Sequence, residues 1–131
     1  PMLMGTGGNT GSQAATLIIR GLAMGEVEPS DAAKVLWKEV RIGLIVGVIL
    51  SAFNFARICI FDGYGVMIAL TVCSAMLVIV VFAKIIGSMI PLLVKKINLD
   101  PALIANPAIS SISDAVALSI YFLMASLFLG L

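Results

Sequence analysis

Three long apolar runs and one diluted run account for most of the chain, and short polar connections separate them. The diluted run comes first, from Pro1 to about Met24. Glycines and small polar residues interrupt its apolar positions, and Arg20 is its only charge. The second run, Ile42 to Phe61 (IGLIVGVILSAFNFARICIF), has the ~20 residues of one bilayer crossing. Its single charge, Arg57, lies near the end, where a long side chain can reach back to the interface. The third runs from Tyr64 to Val94, and its opening stretch YGVMIALTVCSAMLVIVVFA carries no charge before Lys84. At ~1.5 Å per residue this run is longer than the hydrocarbon core, so it tilts or projects. The fourth starts at DPALIANPAISSISD and continues to Leu131. The pattern predicts helices over approximately 1–24, 33–61, 64–96 and 101–131, within one membrane domain covering 1–131.

Composition gives the same class. Hydrophobic residues make up 61% of the 131 positions and charged residues 11%, whereas soluble domains carry about a quarter charged residues. Mean hydropathy is +1.17, and a soluble fold this small leaves too much of its surface wet to hide so many apolar side chains. The expected fold is an all-α, polytopic membrane helix bundle. Net charge is +1, which gives no footprint for nucleic acid. Histidine is absent, which removes the commonest metal ligand and general base. Cys59 and Cys73 lie in apolar stretches without metal-ligand spacing and read as buried small hydrophobes. The chain opens on Pro1, with no charged region ahead of the apolar run, as expected of a piece of a longer chain.

Loop charges set the orientation. Arg20, Lys34, Lys38 and Arg41 flank the first connection and Lys95 and Lys96 the third, while the middle one (FDGYG) has only Arg57 nearby. By the positive-inside rule the first and third connections are cytoplasmic and the C-terminus is outside. The segment GEVEPSDAAKVLWKEV is then a cytoplasmic linker leading into the second span. Ser30 or Asp31 is its expected N-cap, and Lys34, Lys38 and Arg41 recur at helical spacing. These charges read as a solvated face, with cation contact by Glu26, Glu28 and Asp31 as the sharper alternative. Pairs of GxxxG type at Gly7/Gly11, Gly21/Gly25 and Gly43/Gly47 predict close helix contacts.

Asp114 is the most informative residue. It lies well inside the last span, where a carboxylate costs at least ~2.5 kcal/mol, and no basic residue shares its helix. It therefore requires water, a cation or a partner helix. Asn106, Ser110 and Asp114 follow one another at i, i+4 and i+8 and form a polar stripe, with Ser111 and Ser113 nearby. Pro107 cannot donate to the Leu103 carbonyl, which frees another oxygen. Asp100 and Pro101 form a regular helix start. Carboxylate, amide, hydroxyl and carbonyl oxygens suit hard cations such as Mg²⁺ or Ca²⁺. One Asp per chain is too few ligands for a closed cage, but two would meet at the axis of a dimer. An enzyme is not expected, because a lone intramembrane carboxylate lacks an acid–base partner.

PMLMGTGGNTGSQAATLIIRGLA, KVLWKEVRIGL and KINLDPALIANPAISSISDAVAL together closely resemble the membrane domain of MgtE-type magnesium channels, across essentially the whole chain. The resemblance implies a homodimer with five membrane helices per subunit. This chain would cover the second half of helix two and helices three to five, with the first helix missing. It also implies cytoplasmic N-terminal and CBS regulatory domains in a longer parent chain, in the inner (plasma) membrane of a bacterium. The family's pore lies on the dimer axis between helices two and five, and its central hydrated Mg²⁺ is held by a helix-five Asp that corresponds to Asp114. The family's helix-five Asn corresponds to Asn106. Asp100 matches an Asp at the cytoplasmic end of the pore, where gating ions bind. The spacers in SSISD and the charge at Lys84 depart from relatives.

The expected activity is passage of hydrated or partly hydrated Mg²⁺ down its gradient, with Mn²⁺, Co²⁺ or Ca²⁺ as further candidate ions. The alternative is a proton- or Na⁺-coupled secondary transporter of divalent cations. Asp114 is the primary ion contact, with Asn106 and Ser110 acting through water. The opening GTGGNTGSQ misses both phosphate-loop spacings. It reads instead as the other wall of the path, lined by Gly5, Gly7, Gly8, Asn9, Thr10 and Gln13.

Overall fold

The computed structural model describes residues 2–130, apart from the side chains of 104 and 105. Four α-helices follow one another: α1 (Met2–Ala23), α2 (Ala32–Arg57), α3 (Val66–Lys96) and α4 (Pro101–Leu129). A single 3₁₀ turn, Pro29–Asp31, leads into α2, and a π-helical turn, Ile58–Asp62, extends its far end. No strand occurs among the described residues. Among the described residues three segments are long and apolar enough to cross a membrane: Pro29–Asp62, Val66–Lys96 and Asn106–Leu129. α1 is not among them, because glycines and polar residues dilute it.

The helix ends follow from local chemistry. Gly25, with φ +74°, turns the chain after α1, and Gly63, with φ 65°, turns it after the π-helical segment. The Ala102 N–H donates to Asp100 Oδ1 at 3.0 Å, with Pro101 at the first helical position. That is the start expected for α4. The start of α2 differs from expectation. Asp31 does precede the helix, but its Oδ2 accepts a 3.1 Å hydrogen bond from the Glu28 N–H, and neither Ser30 nor Asp31 caps α2 with its side chain.

α3 is the central helix and packs on α1, α2 and α4, while α1 and α4 also pack on each other. Between membrane helices there is little hydrophobic gain, because lipid tails are as apolar as leucine. Association then depends on close van der Waals fit at small residues. The buried stripe of α1 is built that way, from Gly7, Thr10, Gly11, Ala14, Ala15, Ile18 and Gly21. A methyl group placed on Gly7 would lie 3.0 Å from Ile79 Cγ2, and one on Gly47 would lie 2.7 Å from Leu77 Cδ1. Gly43 similarly faces the Val81 backbone, at 3.2 Å. Two of the three glycine pairs are thus helix-packing faces. Gly21/Gly25 is not, since Gly21 meets only Val27 of the following loop and Gly25 serves the turn.

The tightest crossing joins α3 to α1. A methyl group on Gly87 would collide with the Gly11 carbonyl oxygen and lie 2.8 Å from its carbon. The Gly87 Cα–H therefore points at that oxygen, a weak hydrogen bond of the kind found at helix interfaces. Overpacking a close-packed site costs about 1–3 kcal/mol where neighbours can shift, and here the neighbour is backbone. Gly87→Ala is expected to lower the thermal unfolding midpoint in detergent markedly. An unchanged midpoint would show that the crossing yields easily.

Hydroxyls are mostly satisfied within their own helices. Ser88 donates to Lys84 O at 2.8 Å and Thr71 to Met67 O at 2.8 Å. Across helices, Ser51 donates to Cys73 O at 2.9 Å and Asn54 Nδ2 donates to Met76 Sδ at 3.3 Å. Both bonds fasten α2 to α3.

Candidate cation site

On α4, Ile109, Ser113 and Ala117 point into the bundle and are buried. About 100° around the helix, Asn106 and Ser110 are exposed and Asp114 is half-buried. The three run ~12 Å along one open edge. α1 lies beside this edge. A methyl group on Gly8 would sit 3.5 Å from Asp114 Oδ1, and no residue of α1 comes closer to that oxygen through a glycine position. Gly8 thus leaves the carboxylate uncovered on its α1 side. Among the described residues no hydrogen bond or salt bridge engages Asp114, while other charged groups are paired, such as Arg57 with Asp62 at 2.8 Å.

The α1 residues expected along the path separate into two groups. Gly5, Asn9 and Gln13 are exposed and Gly8 is half-buried, and of these Gly8 is the position that lies against Asp114. Gly7 and Thr10 point inward instead, and Thr10 is 7% exposed. Their place is in the packing against α3 and α4, because an α-helix cannot turn neighbouring positions to the same face. Ser113 likewise leaves the polar stripe. It is 2% exposed, and its Oγ would lie 2.9 Å from a methyl group on Gly11. Ser111 is exposed.

Asp100 is some distance along α4 from the stripe. It borders a cavity of about 150 Å³ shared with Ile19, Leu22, Ala23, Lys95, Pro101 and Ala102. One of its oxygens is used in capping. Among the described residues no three His, Cys, Asp or Glu side chains gather as a metal-holding group, so Glu26, Glu28 and Asp31 do not form one. The open edge supplies neutral oxygens and a single carboxylate per chain, which is suited to ordering the water around a hard cation.

One charged pair was not anticipated. Glu39 of α2 and Lys84 of α3 are 5% and 7% exposed, and Lys84 Nζ lies 3.4 Å from Glu39 Oε2. At that separation the contact is ionic, and Oε2 has no hydrogen-bond donor among the described residues. Gly43, one turn after Glu39, makes room for the lysine stem, since a methyl group there would lie 3.4 Å from Lys84 Cγ. That glycine beyond an acidic residue, facing a lysine on the next span, is the sequence signal that could have revealed the pair.

A bundle of apolar helices that carries, amid neutral oxygens, a carboxylate unpaired among the described residues has the make-up of a cation-handling membrane protein. Within that class the chain belongs to the MgtE family, described as "Divalent cation transporter", whose model matches residues 1–124. It is 41% identical over 129 residues to the magnesium transporter MgtE of Thermus thermophilus, and 29% identical over 129 residues to that of Bacillus subtilis. It is also 30% identical over 128 residues to the magnesium transporter MgtE of Enterococcus faecalis. Each match covers 98% of this chain, and the chain spans 28% of the length of each relative.

Proposed function

We propose that this chain is the pore-forming part of a magnesium channel. Two copies associate through their α1–α4 edges, so that the Asp114 carboxylates of both face one hydrated Mg²⁺ on the axis. The observation that carries this reading is Asp114 itself, a carboxylate within an apolar helix, unpaired among the described residues and left open by Gly8. Mg²⁺ releases its water reluctantly, so Asp114 acts on the ion through its first water layer. Asn106 and Ser110, with Asn9 and Gln13 of α1, bond the outer waters without trapping the ion. The relatives' printed function, magnesium transport, and the choice of hard oxygens over thiolate or imidazole both favour Mg²⁺. Mn²⁺, Co²⁺ and Ca²⁺ are competitors to be tested beside it.

In this reading the chain lies in the bacterial inner membrane with the Arg20 and Lys95 end toward the cytoplasm and the C-terminus outside. Asp100 marks the cytoplasmic mouth. Cytoplasmic N-terminal and CBS domains of the full-length protein supply regulation. Mg²⁺ uptake into vesicles under imposed gradients tests the mechanism. Uptake should follow the Mg²⁺ gradient and membrane potential alone. Mg²⁺ movement against its own gradient, driven by a proton or Na⁺ gradient, would replace the channel with a coupled transporter.

A further inference from the structure

The first turns of α2 carry a strip of charge that the ion path does not use. Lys34, Lys38 and Arg41 are all exposed, and at i, i+4 and i+7 they share one face of the helix. Trp37, 63% exposed, lies on the same face, and the Arg41 guanidinium carbon is 5.6 Å from its ring centroid. This cation–π contact holds the guanidinium beside the ring. The acidic residue within these turns, Glu39, points the other way and is paired with Lys84. Asp31, just before the helix, accepts from the Glu28 N–H. The strip therefore keeps its positive charge.

Below the strip the same face becomes apolar. Ile45, Val48, Ile49 and Phe53 continue the helical period and are 62%, 55%, 62% and 74% exposed. Arg41 and Ile45 are ~6 Å apart along the axis, and Ile45 and Phe53 ~12 Å. One helix face thus presents cations grouped around an aromatic ring, then a column of apolar side chains. That order matches a phospholipid, with its phosphate outermost and its acyl chain running inward.

We propose that this face binds an anionic phospholipid. Lys34, Lys38 and Arg41 hold the headgroup phosphate, Trp37 lies among them at the interface, and an acyl chain runs along Ile45, Val48, Ile49 and Phe53. The site needs α2 to span the membrane but does not depend on Asp114 or on Mg²⁺ passage. Trp37 is the sole tryptophan of the chain, so it can report on the lipid directly. The full-length protein, with any tryptophan outside this chain replaced, is reconstituted with brominated phosphatidylglycerol or brominated phosphatidylcholine at equal mole fraction. Phosphatidylglycerol should quench Trp37 more strongly. Each of Lys34→Gln, Lys38→Gln and Arg41→Gln should lower its relative association constant about fivefold. The triple variant should be quenched equally by both lipids while keeping its helical circular dichroism.

Equal quenching of the unaltered protein, or a phosphatidylglycerol preference that survives in the triple variant, would overturn the assignment. So would absence of quenching by either lipid, which would mean that protein covers the face. Relief of quenching by inorganic phosphate at constant ionic strength would assign the strip to free anions instead.

Discussion

Asp114→Ala is expected to abolish growth rescue by the full-length protein in a strain that depends on it for magnesium. The carboxylate is the one charge in the Asn106–Ser110–Asp114 stripe, and replacing it leaves only an amide and a hydroxyl there to order the ion's water. A charge-assisted hydrogen bond contributes about 1.5–3 kcal/mol, so the loss corresponds to about a ten- to hundredfold fall in ion occupancy per carboxylate. Two subunits sharing one ion would double that free-energy loss. Asp114→Glu keeps the charge but extends it by one methylene toward the space that Gly8 leaves. Partial transport with altered selectivity among Mg²⁺, Mn²⁺, Co²⁺ and Ca²⁺ is the expected result. Full growth rescue by Asp114→Ala would remove this residue from the mechanism.

The second large effect concerns Glu39 and Lys84. Breaking a buried ion pair from one side leaves an uncompensated charge and costs about 3–5 kcal/mol. Glu39→Gln and Lys84→Met should each reduce the unfolding free energy by that order, seen as a lower thermal midpoint in detergent. The double variant, neutral on both helices, should recover most of the loss, because a buried pair is often no more stabilising than apolar groups of similar volume. Met suits position 84, since the lysine stem already packs against Gly43. Additive losses in the double variant would show that the two charges are not coupled.

The helices were legible because long apolar runs and their polar breaks survive any packing arrangement. Asp114 was legible for a similar reason, since the cost of a carboxylate in hydrocarbon depends on depth rather than on neighbours. The Asp100 cap was also local, and the structure bears it out. The rotation of α1 about its own axis was not. Gly7 and Thr10 face inward because α3 presents Ile79 and Gly87 to that side, and the α1 sequence alone has small residues on every face. The Glu39–Lys84 pair was hidden by separation along the chain. Each residue alone reads as an interfacial charge, and only the contact between α2 and α3 joins them. At α2 Asp31 does hold the N-cap position, but its side chain does not cap the helix because it accepts from the Glu28 N–H instead.

The contact between Gly87 and Gly11 has a mechanical consequence. With backbone against backbone and no side chain between, the separation of α1 and α3 is set there by groups that have no rotamers to change. Gly8 is three residues from this contact, ~4.5 Å along the axis. Gly7, beside it, is packed between Ile79 of α3 and Ala117 of α4. The helix wall next to Asp114 is therefore positioned by main chain and small residues, which fixes its distance from the carboxylate more firmly than long side chains would.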